Sequence, residues 1–517
     1  MSLSFGSRVE NTALVLVTLL LNATGLDWGL PSTARSKFYP SSSVSYEMPE
    51  SDARRLYQTA PYESYHPDEG VLLKYLAAMQ PSHMDFNPRR FNYPTFWVYV
   101  TGATLKLAQL LGFAELHDGK SWYVKHPDAM ARIYLIGRML AAFTGILTVL
   151  ALAWALERWF GRVAGFVGGL TLALTPLWVR DVHFMLINVP AAFLSTLAAI
   201  SFAESLRRER PSWLMLGFVF AGLAASTKYP AGAVGLVGVL VALIGFSGRA
   251  SRLITQGVAT AALAFFVGTP YALITPRAFL RDVLFEGQDK LGLADLGGVG
   301  VGALTVYGPG IVAVTVACVV LIGRWSDWRS RLILVWIVAG GLHRMLTGHE
   351  FLRYWILVLP AVAASIGAAA HYLWRVRRWR SLVLASVALM GAYSVNLVAC
   401  LRGADVRDEE AAAIDRMAST DSSVGFFSSF YFDTPPVSSE RHDLIDLTTH
   451  AEASPQVVVA GILRSGAQRA WWSRHREERY SRIVHEHGPW PGWRLWVEPG
   501  QDWYYTFPRV ETALRLE

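Results

Sequence analysis

The sequence predicts an all-α polytopic membrane protein with about 11 transmembrane helices, followed by a small C-terminal α/β domain. Of the 517 residues, 53% are apolar and only 17% are charged, which is too little charge for a soluble chain of this length. Charge-free apolar runs recur between residues 139 and 401, and most approach or exceed the roughly 18 residues that a helix needs to cross the hydrocarbon. Short arginine-bearing segments stand at every second connection between the runs.

Ten apolar runs follow residue 138, and an earlier one completes the count of eleven. An early run, 11–26, follows a lone Arg8, and it is either a further span or a cleaved secretory signal. Its removal would leave the rest of the topology unchanged. The two cysteines, Cys318 and Cys400, lie in apolar runs, so the sequence predicts neither a disulfide framework nor a thiolate metal site. Seven of the later runs have the length of a span: 139–156, 182–203, 229–248, 253–276, 296–323, 354–374 and 381–401. The runs 163–179 and 211–227 are slightly shorter, and 332–342 is the weakest candidate.

The connections between the runs alternate in charge. The positive-inside rule places the arginine-bearing connections in the cytoplasm and the alternate ones outside. The formal charge of +7 comes from these scattered clusters, a pattern typical of topology signals rather than of a nucleic-acid surface. The predicted cytoplasmic connections are "ERWFGR" (157–162), "LRRERPS" (206–212), "SGRASR" (247–252), "GRWSDWRSR" (323–331) and "WRVRRWR" (374–380), and the predicted outer ones are 180–188, 228–230, 275–298 and 347–353.

Residues 31–130 are predicted to form one long outer loop. The aromatic stretch "FNYPTFWVYV" opens an apolar segment, 93–112, that Lys106 interrupts. If this segment crossed the membrane and Met1 lay inside, all five arginine clusters would lie outside instead of in the cytoplasm. We therefore predict a helix that lies in the outer interface, where aromatic residues are enriched.

Residues 402–517 have no spanning run and are predicted to form a small extracytoplasmic α/β domain after the membrane domain, 1–401. A helical pattern covers "VRDEEAAAIDRMA" (406–418), whose acidic start suits a helix N-terminus. Strand-like runs follow at "SVGFFSSF" (423–430), "QVVVAGIL" (456–463) and "WRLWVEP" (493–499). No chemical motif occurs in this region, which favours a packing or acceptor-guiding appendage over a second catalytic unit.

Ionisable residues at the predicted outer ends of the spans are the candidates for chemistry. Asp68 and Glu69 precede the apolar "GVLLKYLAAM" and so begin a helix, and the alternative that they serve only that helix terminus stays open. Lys228, Arg353 and Arg138 lie at other outer boundaries, where each alone is explained as a headgroup anchor. Together, the two carboxylates and these cations would hold a phosphate while a carboxylate removes a proton from an acceptor.

Five segments carry a resemblance to a known family: "YHPDEG" (65–70), "NPRRFNYP" (87–94), a long run from "IGRMLAAF" to "INVPAAF" (136–193), "GLAASTKYPAG" (222–232) and "HEFLRYWILVLPA" (349–361). Together they resemble the bacterial lipid-carrier-dependent glycosyltransferases of the GT-C superfamily, relatives of protein O-mannosyltransferases and of the lipid A aminoarabinose transferase. The resemblance runs over most of residues 20–370. It implies an inverting transfer of a monosaccharide from a polyprenyl-phosphate donor to a protein, lipid or glycan acceptor at the outer face of the bacterial inner membrane.

The resemblance also implies roles for single residues. Asp68 would be the base with Glu69 as its partner, and the donor phosphate would be bound by Lys228, Arg353, Arg138 and Tyr354. Many relatives carry Asp where this chain has Asn188, so a metal ligand or second acid at that position is in doubt, although Asp181 lies nearby. The sequence does not favour a metal cofactor and does not exclude a divalent ion. The remaining pocket residues would be His66, Asn92, Tyr93, His183, Asn188, His349 and Glu350.

Two other classes of protein also have many spans. A polytopic transporter or lipid flippase places ionisable residues near the midplane of its spans, often in repeated halves. Here they are concentrated at outer span ends and in the first loop, without a clear internal repeat. A structural membrane scaffold would explain the tail but not the first loop.

Overall fold

The computed structural model describes a helical chain that ends in a five-stranded sheet. It describes residues 5–39, 61–290, 292–293, 296–307, 310–348, 351–419, 421–427, 435–438, 440–461, 470–471, 473, 475, 480–486 and 509–515. The first ten helices are α1 (Phe5–Ala23), α2 (Thr33–Ser36), α3 (Glu69–Ala77), α4 (Phe96–Leu110), α5 (Lys120–Lys125), α6 (Pro127–Phe160), α7 (Arg162–Ala173), α8 (Pro176–Val182), α9 (Asn188–Arg208) and α10 (Pro211–Ala225). The next ten are α11 (Gly235–Gly245), α12 (Ala250–Gly268), α13 (Tyr271–Ile274), α14 (Pro276–Lys290), α15 (Leu296–Tyr307), α16 (Ile311–Ile322), α17 (Trp328–Met345), α18 (Leu359–Leu373), α19 (Arg377–Leu401) and α20 (Val406–Met417).

Several helices have the length and composition of membrane spans. Within the described ranges, four are long and apolar enough to cross a membrane, Pro127–Phe160, Asn188–Arg208, Ser247–Gly268 and Arg377–Arg416, and α7 with α8 makes a fifth if the bent pair is one span. Shorter apolar helices, among them α10, α16 and α18, lie between them. The predicted helical architecture with apolar helices of spanning length is therefore present, whereas the predicted number of eleven spans stays a prediction.

Several apolar runs that the sequence predicted as single spans are broken in the structure. The run 163–179 divides into α7 and α8, which meet at an angle of 62°. Pro176 begins α8 and has no N–H to continue the ladder of α7. The carbonyl of Leu174 at the break instead accepts a hydrogen bond of 2.9 Å from the Ser394 hydroxyl on α19. The run 296–323 likewise divides, into α15 and α16.

Small residues bring α7 and α18 into close contact. Gly168 and Gly367 face each other, and a Cβ on Gly367 would lie 2.5 Å from the Ala164 carbonyl oxygen and 3.0 Å from the Gly168 Cα. Residues 359–370 of α18 are all buried. Close backbone approach of this kind is how apolar helices associate where the surroundings are as apolar as their side chains.

The long helix α6 connects two polar regions. Arg138 lies in its first half and Trp159 near its end, about 31 Å away along the axis at 1.5 Å per residue, which matches the thickness of a bilayer core. Around Trp159, the indole donates to Glu204, whose carboxylate also binds Arg207 and Arg208. Residues from three of the predicted cytoplasmic segments thus meet at one end of the bundle, because Arg329 also donates to the Trp159 carbonyl.

The predicted interfacial segment forms α4. Its inner side packs Trp97 and Leu105 against a cluster that includes Ile133 of α6, while Leu107 and Leu110 are exposed. The helix ends near the predicted segment's end, and its position at a membrane surface stays a prediction.

The tail contains α20 and a mixed sheet of strands β1 (Ser423–Phe426), β2 (Asp443–Asp446), β3 (Val457–Gly461), β4 (Tyr480–Glu486) and β5 (Arg509–Arg515) in the order β2-β1-β3-β5-β4. The three strands β2, β1 and β3 are parallel, and β5 pairs antiparallel with β3 and β4. The predicted helix 406–418 and the strands within 423–430 and 456–463 are present, and "WRLWVEP" lies outside the described residues. The division at residue 402 stays a prediction.

Candidate functional site

A cavity of about 380 Å³ lies where the predicted outer connections meet. Its wall combines the start of α3, the "NYP" segment, the start of α9, the turn after α10, α14, and residues 342–347 and 353–354. Sequence-predicted and unpredicted polar side chains line it together: Asp68, Asn92, Tyr93, Asn188, Lys228, Glu286, Lys290, His343, Thr347, Arg353 and Tyr354.

Asp68 occupies the N-cap position of α3 without acting as a side-chain cap. Its backbone is helical, and its carboxylate makes no hydrogen bond to the first turn. The carboxylate instead lies 3.4 Å from Arg353, measured from Oδ2 to Nη1, and it keeps 23% of its surface exposed. The helix start that the sequence predicted is therefore present, but the carboxylate serves the cavity.

Glu69, the adjacent carboxylate, points away from the cavity and is fully buried. It accepts hydrogen bonds from Arg138 at 2.8 and 2.7 Å, from the Ser64 hydroxyl at 2.5 Å and from the Met185 N–H at 2.7 Å. Four donors occupy the four lone-pair directions that a carboxylate offers. This geometry makes Glu69 an anchor of the Asp68 segment and does not favour a role in contact with substrate.

Arg138, predicted from the sequence to bind the donor phosphate, also lies away from the cavity lining. Its guanidinium is fully buried, bidentate on Glu69, and it donates to the carbonyls of Leu26 and Trp28 at 2.7 and 2.6 Å. It connects α6, α3 and the end of the first apolar segment. The structure thus separates Arg138 from Lys228 and Arg353, with which the sequence had grouped it.

The two remaining predicted cations, Lys228 and Arg353, line the same cavity as Asp68. The Lys228 ammonium donates to the Asn188 carbonyl oxygen at 2.8 Å and lies 5.5 Å from the centre of the Tyr354 ring. The Arg353 guanidinium lies 5.8 Å from the same ring and 4.0 Å from that of Phe351. Aromatic faces attract cations, so the Tyr354 ring is a common support for both.

A polar network lies behind the cavity. The Asn188 amide nitrogen donates to Asp181 at 2.9 Å, Asp181 pairs with Arg180 at 3.2 Å, and Arg180 reaches the His66 Nε2 at 3.4 Å. Burial, and next the charge of Arg180, hold the pKa of His66 well below its usual value, so the imidazole is neutral. His183 contacts the backbone carbonyls of Val179 and Thr24. His66 and His183 therefore lie behind the wall rather than in it.

The helix α14 supplies residues that the sequence did not single out. Glu286 and Lys290 form an ion pair on its inner side, and Glu286 accepts a hydrogen bond of 3.1 Å from Asn92. Its outer side exposes Leu284 and Phe285 at 63% and 64%. A Glu and a Lys four residues apart are typical of any solvated helix, so no sequence signal distinguished this pair.

Not all of the predicted site falls within the described chain. His349 and Glu350 lie outside the described residues. Over the described ranges, no group of three His, Cys, Asp or Glu side chains is arranged to hold a metal ion. Asp68 and Glu286 are the carboxylates in the described lining, and Glu286 already binds Lys290 and Asn92.

The middle of the chain matches a known family. Residues 135–273, less than half of the chain, fit the family model of dolichyl-phosphate-mannose-protein mannosyltransferases. The segment carries Arg138, Asn188 and Lys228, and over it the resemblance to protein O-mannosyltransferases predicted from the sequence is confirmed. No curated protein matches the chain.

Several solved structures resemble the fold. ArnT from Cupriavidus metallidurans in the apo state is 13% identical, with 99% of this chain and 98% of that chain covered and a TM-score of 0.49. The same protein bound to undecaprenyl phosphate has equal identity and coverage and a TM-score of 0.46. The Archaeoglobus fulgidus oligosaccharyltransferase is 12% identical over 90% of this chain and 71% of its own, with a TM-score of 0.47. At these identities and TM-scores, none of the similarities transfers a function to this chain.

Proposed function

We propose that this protein is an integral-membrane glycosyltransferase that moves a monosaccharide from a polyprenyl-phosphate donor to an acceptor at the outer face of the membrane. The observation that supports this most directly is one cavity in which Asp68 faces Lys228 and Arg353. A carboxylate that shares one cavity with two cations provides a proton acceptor and an anion site together. The matched mannosyltransferase segment supports the same class of reaction.

The chemistry follows from this arrangement. Asp68 takes the proton of the acceptor's nucleophile as the new bond to the anomeric carbon forms. The bond between that carbon and the phosphate oxygen breaks on the opposite side, and the electron pair leaves with polyprenyl phosphate. A single displacement of this kind inverts the anomeric centre. Lys228 and Arg353 stabilise the charge that grows on the departing phosphate, which is where fixed cations lower a barrier most.

The surroundings suit a lipid-linked donor. α14 places Glu286 and Lys290 on the cavity side and Leu284 and Phe285 on its exposed side. Exposed apolar residues continue on α12, where Leu263 and Val267 are 67% and 70% exposed. A polyprenyl chain that lies along this apolar surface would bring its phosphate to Lys228 and Arg353. The acceptor is a protein, lipid or glycan hydroxyl or amine, and the reaction needs no bound metal in this proposal.

Release of polyprenyl phosphate from a polyprenyl-phosphate sugar, measured with purified protein in lipid, tests the proposal. Asp68→Asn should lower turnover by about 10²–10⁴-fold, the range for loss of a general base, and should leave donor binding intact. Asp118→Asn, the same change at an exposed position of the first loop, is the matched control and should keep full turnover. Full turnover in Asp68→Asn would remove Asp68 from the role of base.

A transporter or flippase would behave differently in the same assay. Such a protein would move the intact donor across the bilayer, with no acceptor and with no cleavage of the sugar–phosphate bond. Donor translocation without cleavage in proteoliposomes, across a panel of protein, lipid and glycan acceptors, would favour that alternative.

A further inference from the structure

Three elements are joined by the hydrogen bonds of one buried amide. Asn188, the first residue of α9, lies between Asp181 at the end of α8 and Lys228 just after α10. We propose that Asp181, held by Arg180, is a positioning residue that fixes the Asn188 amide and thereby sets the place of the Lys228 ammonium at the donor phosphate. This inference rests on the proposed function and deepens it, since it names residues that determine donor affinity without touching the donor.

The chemistry of the two neighbours fixes the orientation of the amide. A carboxylate accepts hydrogen bonds and an ammonium donates them, so the NH₂ end of Asn188 must face Asp181 and its oxygen must face Lys228. The two distances, 2.9 and 2.8 Å, agree with this assignment. Asp181 is fully buried, and Asn188 and Lys228 are 4% and 8% exposed, so solvent offers little competition for these bonds. The position of the Lys228 ammonium therefore depends on the Asp181 carboxylate, which acts on it through the Asn188 amide.

The same pair also reaches the loop that carries the proposed base. Arg180 binds Asp181 with one amino group and approaches the His66 Nε2 with the other. Because the guanidinium donates, the Nε2 of His66 is the acceptor, in line with a neutral ring. His66 stands two residues before Asp68. Arg180 and Asp181 thus connect the proposed base on one side of the cavity to the phosphate-binding lysine on the other.

A carboxylate at position 188 would change this arrangement in a way that depends on pH. The new carboxyl group of an Asn188→Asp variant would lie within hydrogen-bond distance of Asp181, where two carboxylates cannot both stay ionised without moving apart. When the two carboxyl groups share one proton, the acid at position 188 makes the same hydrogen bonds as the amide: its O–H donates to Asp181, and its other oxygen accepts from Lys228. Without that proton, the two carboxylates repel each other, and the side chain at position 188 moves away from Asp181 together with the oxygen that positions Lys228. Among the described residues, the titratable and charged groups around position 188 are Asp181, Arg180 and Lys228, and in the rest of the cavity lining Asp68, His343, Lys290, Glu286, Arg353, Tyr354, Tyr229 and Tyr93.

Binding of undecaprenyl phosphate to the purified full-length protein in detergent, measured at about pH 6 and pH 9, tests the proposal. Asn188→Leu should weaken binding about 10- to 100-fold at both pH values, because a hydrogen bond to a charged group is lost on each side. Asn188→Asp should stay within about threefold of the natural protein at the lower pH and fall by at least about tenfold relative to it at the higher pH.

A charge exchange is the rescue that a merely structural role would not produce. In the double variant Asp181→Asn with Asn188→Asp, the new amide donates to the new carboxylate, the carboxylate accepts from Lys228, and Arg180 keeps an acceptor. This variant should bind undecaprenyl phosphate within about threefold of the natural protein at both pH values. Equal binding by Asn188→Leu and the natural protein, or an Asn188→Asp variant with no added pH dependence, would overturn the proposal.

One more variant separates this inference from the proposed function. Lys228→Met should weaken undecaprenyl phosphate binding at least as much as Asn188→Leu does. If Lys228→Met binds normally, the phosphate site itself is misassigned and the proposed function fails with it. If Lys228→Met binds poorly while the substitutions at 181 and 188 have no effect, only the positioning role fails. Thermal unfolding of each variant identifies those that do not fold. If a single variant does not fold, the double variant Asp181→Asn with Asn188→Asp still decides the test.

Discussion

Replacing Glu69 by Gln tests whether the two adjacent acids have different roles. Glu69 accepts four hydrogen bonds, two at each oxygen: Arg138 and the Met185 N–H at one, Arg138 and the Ser64 hydroxyl at the other. A Gln amide can accept at only one of these two positions. Whichever way it turns, one Arg138 N–H faces an NH₂ group, and the buried guanidinium also loses its counter-charge.

These contacts give the size of the loss in the free energy of unfolding that Glu69→Gln should cause. Breaking a buried ion pair by removing one partner destabilises a protein by about 3–5 kcal/mol, because the other charge is left without compensation. Glu69 and Arg138 are both fully buried, so the full range applies. The exposed pair Glu115–Arg132, at 3.8 Å with both side chains more than half exposed, offers the matched control. Glu115→Gln should cost less than about 1 kcal/mol.

Equilibrium unfolding in a mixed-detergent titration, followed by tryptophan fluorescence, measures both changes. We expect Glu69→Gln to lower the free energy of unfolding by about 3–5 kcal/mol, and the folded fraction to keep donor binding. The pair Glu69→Leu with Arg138→Met should be less destabilising than Glu69→Gln alone, because no uncompensated charge remains. If Glu69→Gln is as stable as Glu115→Gln and turnover still falls a hundredfold, Glu69 belongs to the chemistry and the anchoring role is wrong.

Two further predictions test the phosphate site and the topology. Arg353→Met should weaken undecaprenyl phosphate binding about 10- to 100-fold and Arg353→Lys by less, because a charge-assisted hydrogen bond contributes roughly 1.5–3 kcal/mol; equal binding by all three proteins would remove Arg353 from the site. Single cysteines at Asp118 and Arg378, introduced after replacing the two native cysteines, should react with a membrane-impermeant thiol reagent from opposite sides of the membrane, and labelling from one side would overturn the positive-inside assignment.

The sequence predicted which connections come together better than it predicted where helices end. Asp68, Lys228 and Arg353 meet in one cavity because they belong to connections of the same parity, and parity can be read from arginines elsewhere in the chain. Helix ends depend on local geometry that a long apolar run hides. Pro176 was a visible signal for the break between α7 and α8, and Pro309, between Gly308 and Gly310, was one for the break between α15 and α16.

The roles of neighbouring acids could not be separated from sequence alone. Asp68 and Glu69 precede the same apolar pattern, and successive positions in a helix point about 100° apart, so the two side chains point in different directions. Which one does so depends on Arg138, almost seventy residues away. Lys290 and Glu286 were missed for the same kind of reason. α14 carries charged and apolar residues on different sides, and the elements that pack against it decide which side faces the cavity.

The charges around the cavity balance before and after the proposed reaction. In the described part of the lining, the cations are Lys228, Lys290 and Arg353 and the carboxylates are Asp68 and Glu286. With the imidazole of His343 counted as neutral, a net charge of +1 remains, which one polyprenyl-phosphate sugar, a phosphodiester monoanion, neutralises.

The leaving polyprenyl phosphate is a monoester that carries about two negative charges near neutral pH. Asp68 has by then taken the acceptor's proton, so the site is again neutral. The base and the leaving group are thus coupled through charge: the negative charge that appears on the phosphate equals the charge that Asp68 loses. This balance is also why Asn at position 68, which is neutral throughout, should leave the donor bound while it stops the transfer.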